Sequence, residues 1–243
     1  MDLHISDNKD SLSHELAKWI MEDIQKILKG KERYTFVLSG GSTPKELYSI
    51  LATEPFRSRI DWQRIHIFFG DERFVPFDDE RNNGKMAYDH LLRMVSIPPL
   101  QCHFISTKDD EQDSAEKYEQ LLREYFRNST STFDLALLGM GNDAHTLSLF
   151  PRSPAIHEDN KWVVPSRAPE EPVHRITLTA PVVNLSNCVL FLVAGKSKAK
   201  ALQEVMEGTL NPELYPSQLI TRNHRHVHLF TDHEAMQLLT NNT

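Results

Sequence analysis

The chain has 243 residues, 27 Lys and Arg against 34 Asp and Glu, and a net charge of -7, with 40% hydrophobic and 25% charged residues. This is the composition of an ordinary soluble globular protein, long enough for one large α/β domain or two small ones. The acidic balance argues against a general nucleic-acid binder. No apolar run approaches the roughly 18 residues needed to span a bilayer. Two cysteines, Cys102 and Cys188, make no disulfide framework, and the polar start MDLHISDNKD is no signal peptide, so a cytoplasmic protein is expected.

In chain order, Leu12, Leu16, Ile20, Ile24 and Ile27 repeat at helical spacing, with Gly30 as a stop. Tyr34 to Leu38 reads as a short buried strand that runs into SGGSTP. There Thr43 is predicted as the N-cap of a helix, with Pro44 in its first position and Glu46 completing a capping box. Arg64 to Phe69 is a second strand, and Asn82–Val95 and Asp113–Phe126 are predicted helices. Phe133 to Leu138 is a third strand, followed by GMGNDAHT, which is predicted to open a helix. Residues 152 to 172, rich in proline and charge, are predicted as a long surface excursion. Arg175–Leu178 and Cys188–Ala194 are strands, Lys198–Glu207 is a helix, Val227–Phe230 is a last strand, and a helix begins at Asp232.

Short uninterrupted apolar strands alternating with helices predict an open, doubly wound, mainly parallel sheet with helices on both faces. The chain shows no internal repeat and no linker, so residues 1–243 are taken as one domain. In such a sheet, ligands bind beyond the carboxyl ends of the strands. Four strand ends carry polar clusters: Ser39-Gly40-Gly41-Ser42, Gly70-Asp71-Glu72-Arg73, Gly141-Asn142-Asp143-Ala144-His145 and Lys196-Ser197-Lys198.

The glycine turn before a helix is either an ordinary βα loop or a cradle of N–H groups for an anion. His145, close to Asp143, is a candidate general base. Asp71 and Arg73 form either a structural ion pair or a charged wall beside a reacting oxygen. Lys198 lies within reach of an anion on the rim. His224, His226 and His228 alternate, and on a strand they would share one face, which is a weak zinc pattern.

SGGSTP, GDERFVP, GMGNDAHTLSLFP, HRITLTAPVVN and AGKSKAKAL, in this order from about Leu12 to Ala235, resemble the 6-phosphogluconolactonase family. The resemblance implies hydrolysis of 6-phospho-D-glucono-1,5-lactone in the oxidative pentose phosphate pathway. It also implies a Rossmann-like fold shared with glucosamine-6-phosphate deaminases. No metal and no organic cofactor are implied; the partner is a small sugar phosphate, with no nucleic acid and no membrane, and a monomer or weak homodimer is expected. By the same resemblance His145 is the catalytic base and Arg73 the active-site arginine, while Gly40, Gly41, Ser42, Arg175 and Lys198 bind the phosphate. Asp143 or Asp71 orients the imidazole or Arg73.

Three positions depart from the family pattern: Ala144 replaces a glycine, His174 replaces a proline, and Asn82-Asn83 replaces Ser-Asn. Two other readings remain. A deaminase resembles GNDGH followed by an apolar pair and Asn-Glu-Pro, but Phe150 stands at the glutamate position. A non-catalytic sugar-phosphate sensor would keep the phosphate set and lose His145.

Overall fold

The computed structural model describes residues 1–108, 110–169 and 172–240. A strand, β1 (Asp2–Ser6), leads into α1 (Lys9–Ile27), whose apolar face of Leu12, Leu16, Ile20 and Ile24 is buried. Asn8 caps α1 by accepting the N–H groups of Asp10 and Ser11 at 3.0 Å each. Next come β2 (Tyr34–Leu38), α2 (Ser42–Leu51), the single turn α3 (Phe56–Arg59), β3 (Ile65–Phe69) and β4 (Asp71–Arg73). They are followed by α4 (Asn83–His90), α5 (Glu111–Tyr125), β5 (Leu135–Gly139), β6 (Val163–Arg167) and β7 (His174–Leu178). The chain closes with α6 (Ala180–Asn184), β8 (Cys188–Val193), α7 (Ala199–Met206), α8 (Gln218–Thr221), β9 (Val227–Asp232) and α9 (His233–Met236).

Six strands form one sheet in the order β1-β9-β8-β5-β2-β3, and every pairing in it is parallel. The inner strands β2, β5 and β8 are mainly apolar because both faces are covered: all five residues of β2 are buried. After β3 the chain returns to the other side of β2 to place β5, so the strand order reverses between β2 and β5. The ladder there pairs only Phe36 with Leu135 and Val37 with Ala136, whereas β5 and β8 pair over five positions. A crevice beyond the carboxyl ends of β2 and β5 is the binding position of such a sheet.

A second sheet, β4-β7-β6, is antiparallel and was not foreseen. A single residue, Gly70, separates β3 from β4. Its N–H donates to Leu38 O at 3.0 Å and its carbonyl accepts from Leu178 N at 2.8 Å, which ties the two sheets together. A Cβ on Gly70 would stand 2.7 Å from Leu147 Cδ2, so the Leu147 side chain packs closely over this crossing.

Several expectations are corrected. Thr43 is not a cap: α2 begins at Ser42 behind Gly41, and no side chain caps it. The stretch after His145 is not a helix, because Ala144, Leu147 and Arg152 take φ of 65°, 56° and 60°. It folds as a turn closed by a bridge between Thr146 and Leu149. The excursion over residues 152 to 172 contains β6, with Val163, Val164 and Ser166 buried; Glu170 and Glu171 lie outside the described residues. The helix expected over 82–95 stops at His90 and continues as a 3-10 turn, Leu92–Met94.

The alternating histidines do not share a strand face, because β9 starts at Val227. His224 Nε2 meets Ser186 O at 2.8 Å, while His228 Nδ1 meets His4 Nε2 at 3.0 Å. Among the described residues no three His, Cys, Asp or Glu side chains converge as metal ligands. No helix among them is long and apolar enough to cross a membrane.

Candidate active site

The turn after β2 is shaped by two constraints. Gly41 has φ 111° and ψ 169°, a region open to glycine alone. Gly40 is pressed against Asn83, whose Oδ1 would lie 2.1 Å from any Cβ at that position. Tyr48, one turn into α2, points back along the helix and latches the turn. Its hydroxyl donates to Ser39 O at 2.7 Å and accepts from Ser39 N at 2.9 Å. The uncapped start of α2 therefore presents backbone N–H groups at the positive end of the helix dipole.

Across the crevice, Thr146 Oγ1 donates to Gly139 O at 2.8 Å and Gly141 N donates to His145 O at 2.8 Å, which folds the 140–146 turn back on β5. His145 Nδ1 lies 2.5 Å from Asp143 Oδ1. Gly141 makes room for this pair: a Cβ there would stand 2.1 Å from His145 Nδ1 and 2.4 Å from Asp143 Oδ1. Burial alone would raise the Asp143 carboxyl, but the hydrogen bond and charge of His145 outweigh it and hold it below the usual carboxylate range. On its other side the imidazole packs against the ring of Phe150, with centroids 4.6 Å apart. Phe150 is buried.

Arg73 and Arg175 are direct cross-strand partners on β4 and β7. Like charges at such a position repel unless something compensates them. Arg73 Nη1 donates to Arg81 O at 2.8 Å. Lys198 lies in a 3-10 turn, Lys196–Lys198, directly after β8. Burial lowers the Lys198 amine, and the Asp143 carboxylate, which borders the same cavity, pulls the other way.

Ser39, Gly40, Gly41, Asp71, Arg73, Asp143, His145, Arg175 and Lys198 all border one cavity of about 660 Å³. The four strand ends singled out in the sequence thus converge. Ser42 stands slightly apart, on an adjoining recess with Gly41, Lys45 and Arg73. Asp71 does not reach the imidazole. Its Oδ2 accepts from Ser148 Oγ at 2.6 Å, which holds the turn after His145. The carboxylate on the imidazole is Asp143.

Sequence reasoning missed Glu72, Asn83, Tyr48 and Ser148, which support the cavity walls from behind. The departures from the family pattern are accommodated. Asn82 caps α4 by accepting Lys85 N–H at 2.8 Å, as a serine would. His174 Nδ1 pairs with Glu111 at the start of α5. Ala144 adopts positive φ at full burial.

A family model described as "Glucosamine-6-phosphate isomerases/6-phosphogluconolactonase" matches residues 7–229. The chain is 38% identical over 218 residues to the 6-phosphogluconolactonase of a Synechocystis strain, covering 88% of each. It is 37% identical over 248 residues to a "Probable 6-phosphogluconolactonase 4, chloroplastic" of rice, covering 98% of this chain and 76% of that one. The structure of a 6-phosphogluconolactonase from Trypanosoma cruzi superposes with a TM-score of 0.85 at 29% identity, covering 98% of this chain and 97% of that one. Crevice position, motif order and these likenesses agree, and the chain belongs to the glucosamine-6-phosphate isomerase/6-phosphogluconolactonase family.

Proposed function

We propose that this protein is a lactone hydrolase that converts 6-phospho-D-glucono-1,5-lactone to 6-phospho-D-gluconate in the oxidative pentose phosphate pathway. One observation carries the reading: an Asp-oriented histidine shares a cavity with a glycine turn and with three cations, Arg73, Arg175 and Lys198. The turn, Arg175 and Lys198 hold the 6-phosphate, so an acidic protein supplies positive charge locally. Anchoring at the phosphate sets the ring carbonyl near His145 and recovers much of the entropy of positioning. With its Nδ1 proton donated to Asp143, His145 offers the Nε2 lone pair to a water. That water attacks the carbonyl carbon while His145 takes its proton. Arg73 stabilises charge on the reacting oxygens. The tetrahedral intermediate collapses, the ring C–O bond breaks, and the leaving oxygen collects the proton from His145.

The whole chain, residues 1–243, acts as one α/β lactonase domain, since both sheets wall the cavity. It works without a metal or organic cofactor, as a monomer or weak homodimer. Its two cysteines are unpaired, and burial raises their thiols to about 11 for Cys102 and about 12 for Cys188, in keeping with residence in a reducing cytoplasm. The deciding experiment measures acid release from freshly made 6-phosphogluconolactone beside ammonia release from glucosamine 6-phosphate. Lactone turnover without ammonia supports the lactonase; the reverse overturns it.

A further inference from the structure

Behind the glycine turn, one buried acid organises two walls of the site. Glu72 Oε1 accepts the backbone N–H groups of Arg73 and Asn83 at 2.7 Å each. Its Oε2 accepts Gly84 N–H at 2.8 Å. The carboxylate thus satisfies the first N–H groups of α4, where the helix dipole also favours negative charge. The Asn83 side chain donates back to Asp71 O at 2.9 Å, closing the ring between α4 and β4. The same side chain forms the wall against which Gly40 is pressed. A chain of contacts therefore runs from Glu72 through Asn83 to the turn after β2.

We propose that Glu72 is a positioning residue for phosphate recognition, which acts through Asn83 to fix the Gly40–Gly41 turn at its distance from β4. The inference rests on the reading that this turn holds the 6-phosphate. Glu72 holds three N–H groups that an apolar substitute would leave unsatisfied, two of them on the α4 turn that carries Asn83. Burial raises the Glu72 carboxyl to about 7 against the three hydrogen bonds that lower it, so the fold keeps an ionisable group here at a cost. Asn83 is itself buried, and a shift of its side chain would free the space that excludes any Cβ at Gly40.

The test compares Glu72→Ala, Glu72→Gln and Asn83→Ala with the unmodified protein. Affinity for 6-phosphogluconate is read by calorimetry, and turnover is read on 6-phosphogluconolactone and on glucono-1,5-lactone. Glu72→Ala should weaken 6-phosphogluconate binding about tenfold or more. Glu72→Gln should recover most of this, because its carbonyl oxygen can keep the two bonds made by Oε1. Asn83→Ala, which leaves Glu72 and its N–H partners in place, should raise KM for the phosphorylated lactone about threefold to tenfold. Turnover of glucono-1,5-lactone should change far less in all three. Unchanged 6-phosphogluconate affinity, or an equal loss on both lactones, would overturn the inference. Absence of lactone turnover in the unmodified protein would instead remove the proposed function, while the affinity ratios would still judge Glu72.

Discussion

Asp143 Oδ1 and His145 Nδ1 lie 2.5 Å apart across a turn that the absence of a side chain at Gly141 makes possible. The contact fixes which ring nitrogen carries the proton and leaves the other to accept one, as the proposed mechanism requires. His145→Ala should lower kcat by about 10²–10⁴-fold with KM little changed. Asp143→Asn should lower kcat by a smaller factor, since the base remains but loses its orienting carboxylate. Steady-state rates on the phosphorylated lactone check both, and near-normal turnover in His145→Ala would mean that another group activates the water.

Lys198→Ala and Arg175→Ala should mainly raise the substrate concentration required. On the proposed reading, each would remove a charge-assisted hydrogen bond to phosphate, worth about 1.5–3 kcal/mol. Neither should matter for a lactone without phosphate. If both variants lose the same factor on glucono-1,5-lactone, these cations do not serve the phosphate.

The legible parts of the fold were those whose residues meet the same environment along their length. β2, β5 and β8 are covered on both faces, so they read as apolar runs, broken only by the buried Thr35 of β2. The strand β1 was missed because it is an edge with one neighbour and three of its five residues exposed. β4 is only three residues long, and β6 carries Pro165, which speaks against a strand. The helix expected after His145 failed because Ala144 and Leu147 adopt positive φ, which neither residue type signals. In the site, the glycine turn, His145, Arg73 and Lys198 were readable because they lie at strand ends, whereas Arg175, inside β7, was placed there only by the family resemblance. The choice between Asp143 and Asp71, and the Glu72–Asn83 network, depend on distances between segments that the chain alone does not carry.

At Ala144 three small terms oppose each other. Holding an L-residue at φ 65° costs about 1–2 kcal/mol, which glycine would relieve. Glycine would give up a buried methyl worth about 0.8 kcal/mol. It would also add about 0.4–1 kcal/mol of freedom to the unfolded chain. Ala144→Gly should therefore change stability by less than about 1 kcal/mol, by the sum of these terms. Ala144→Val should cost well over that, because a β-branched side chain tolerates positive φ poorly and the site is fully buried. Urea unfolding curves decide; a well-tolerated valine would show that the turn is not held at this geometry.

Two histidine pairs predict how the fold responds to acid. His4 meets His228 at 3.0 Å on β1 and β9, and His66 meets His103 at 3.4 Å beside β3. Burial lowers all four imidazoles, His66 to about 4. Each ring binds a proton more weakly in the folded chain than in the unfolded one. Below the unfolded value of about 6.5, the unfolded chain takes up more protons, so stability falls as pH falls. Glu72, raised to about 7, acts with the opposite sign as it protonates. Thermal melts from about pH 7.5 to about pH 5 should show a smaller loss of Tm in His66→Gln than in the unmodified protein. Parallel slopes would remove the His66–His103 pair as a cause.

Phe150 separates the two chemistries known for this family. Deamination of an amino sugar requires ring opening and proton shuttling between neighbouring carbons, which needs a second ionisable group near the histidine. Phe150 fills that place with a buried ring whose centroid lies 4.6 Å from that of His145. It can pack and orient the imidazole but cannot carry a proton. The unmodified protein should therefore release no ammonia from glucosamine 6-phosphate while hydrolysing the lactone. Phe150→Leu should retain most of the fold and lower lactone turnover, because a smaller side chain packs the imidazole less well. Phe150→Glu should lose both stability and lactone turnover without gaining deamination. An unpaired carboxylate buried there costs several kcal/mol, about what a marginally stable fold can lose, so the 141–150 turn would rearrange before the acid could act. An ammonia assay run beside the lactone assay on all three proteins settles the matter; substantial ammonia from the unmodified chain would reverse the assignment.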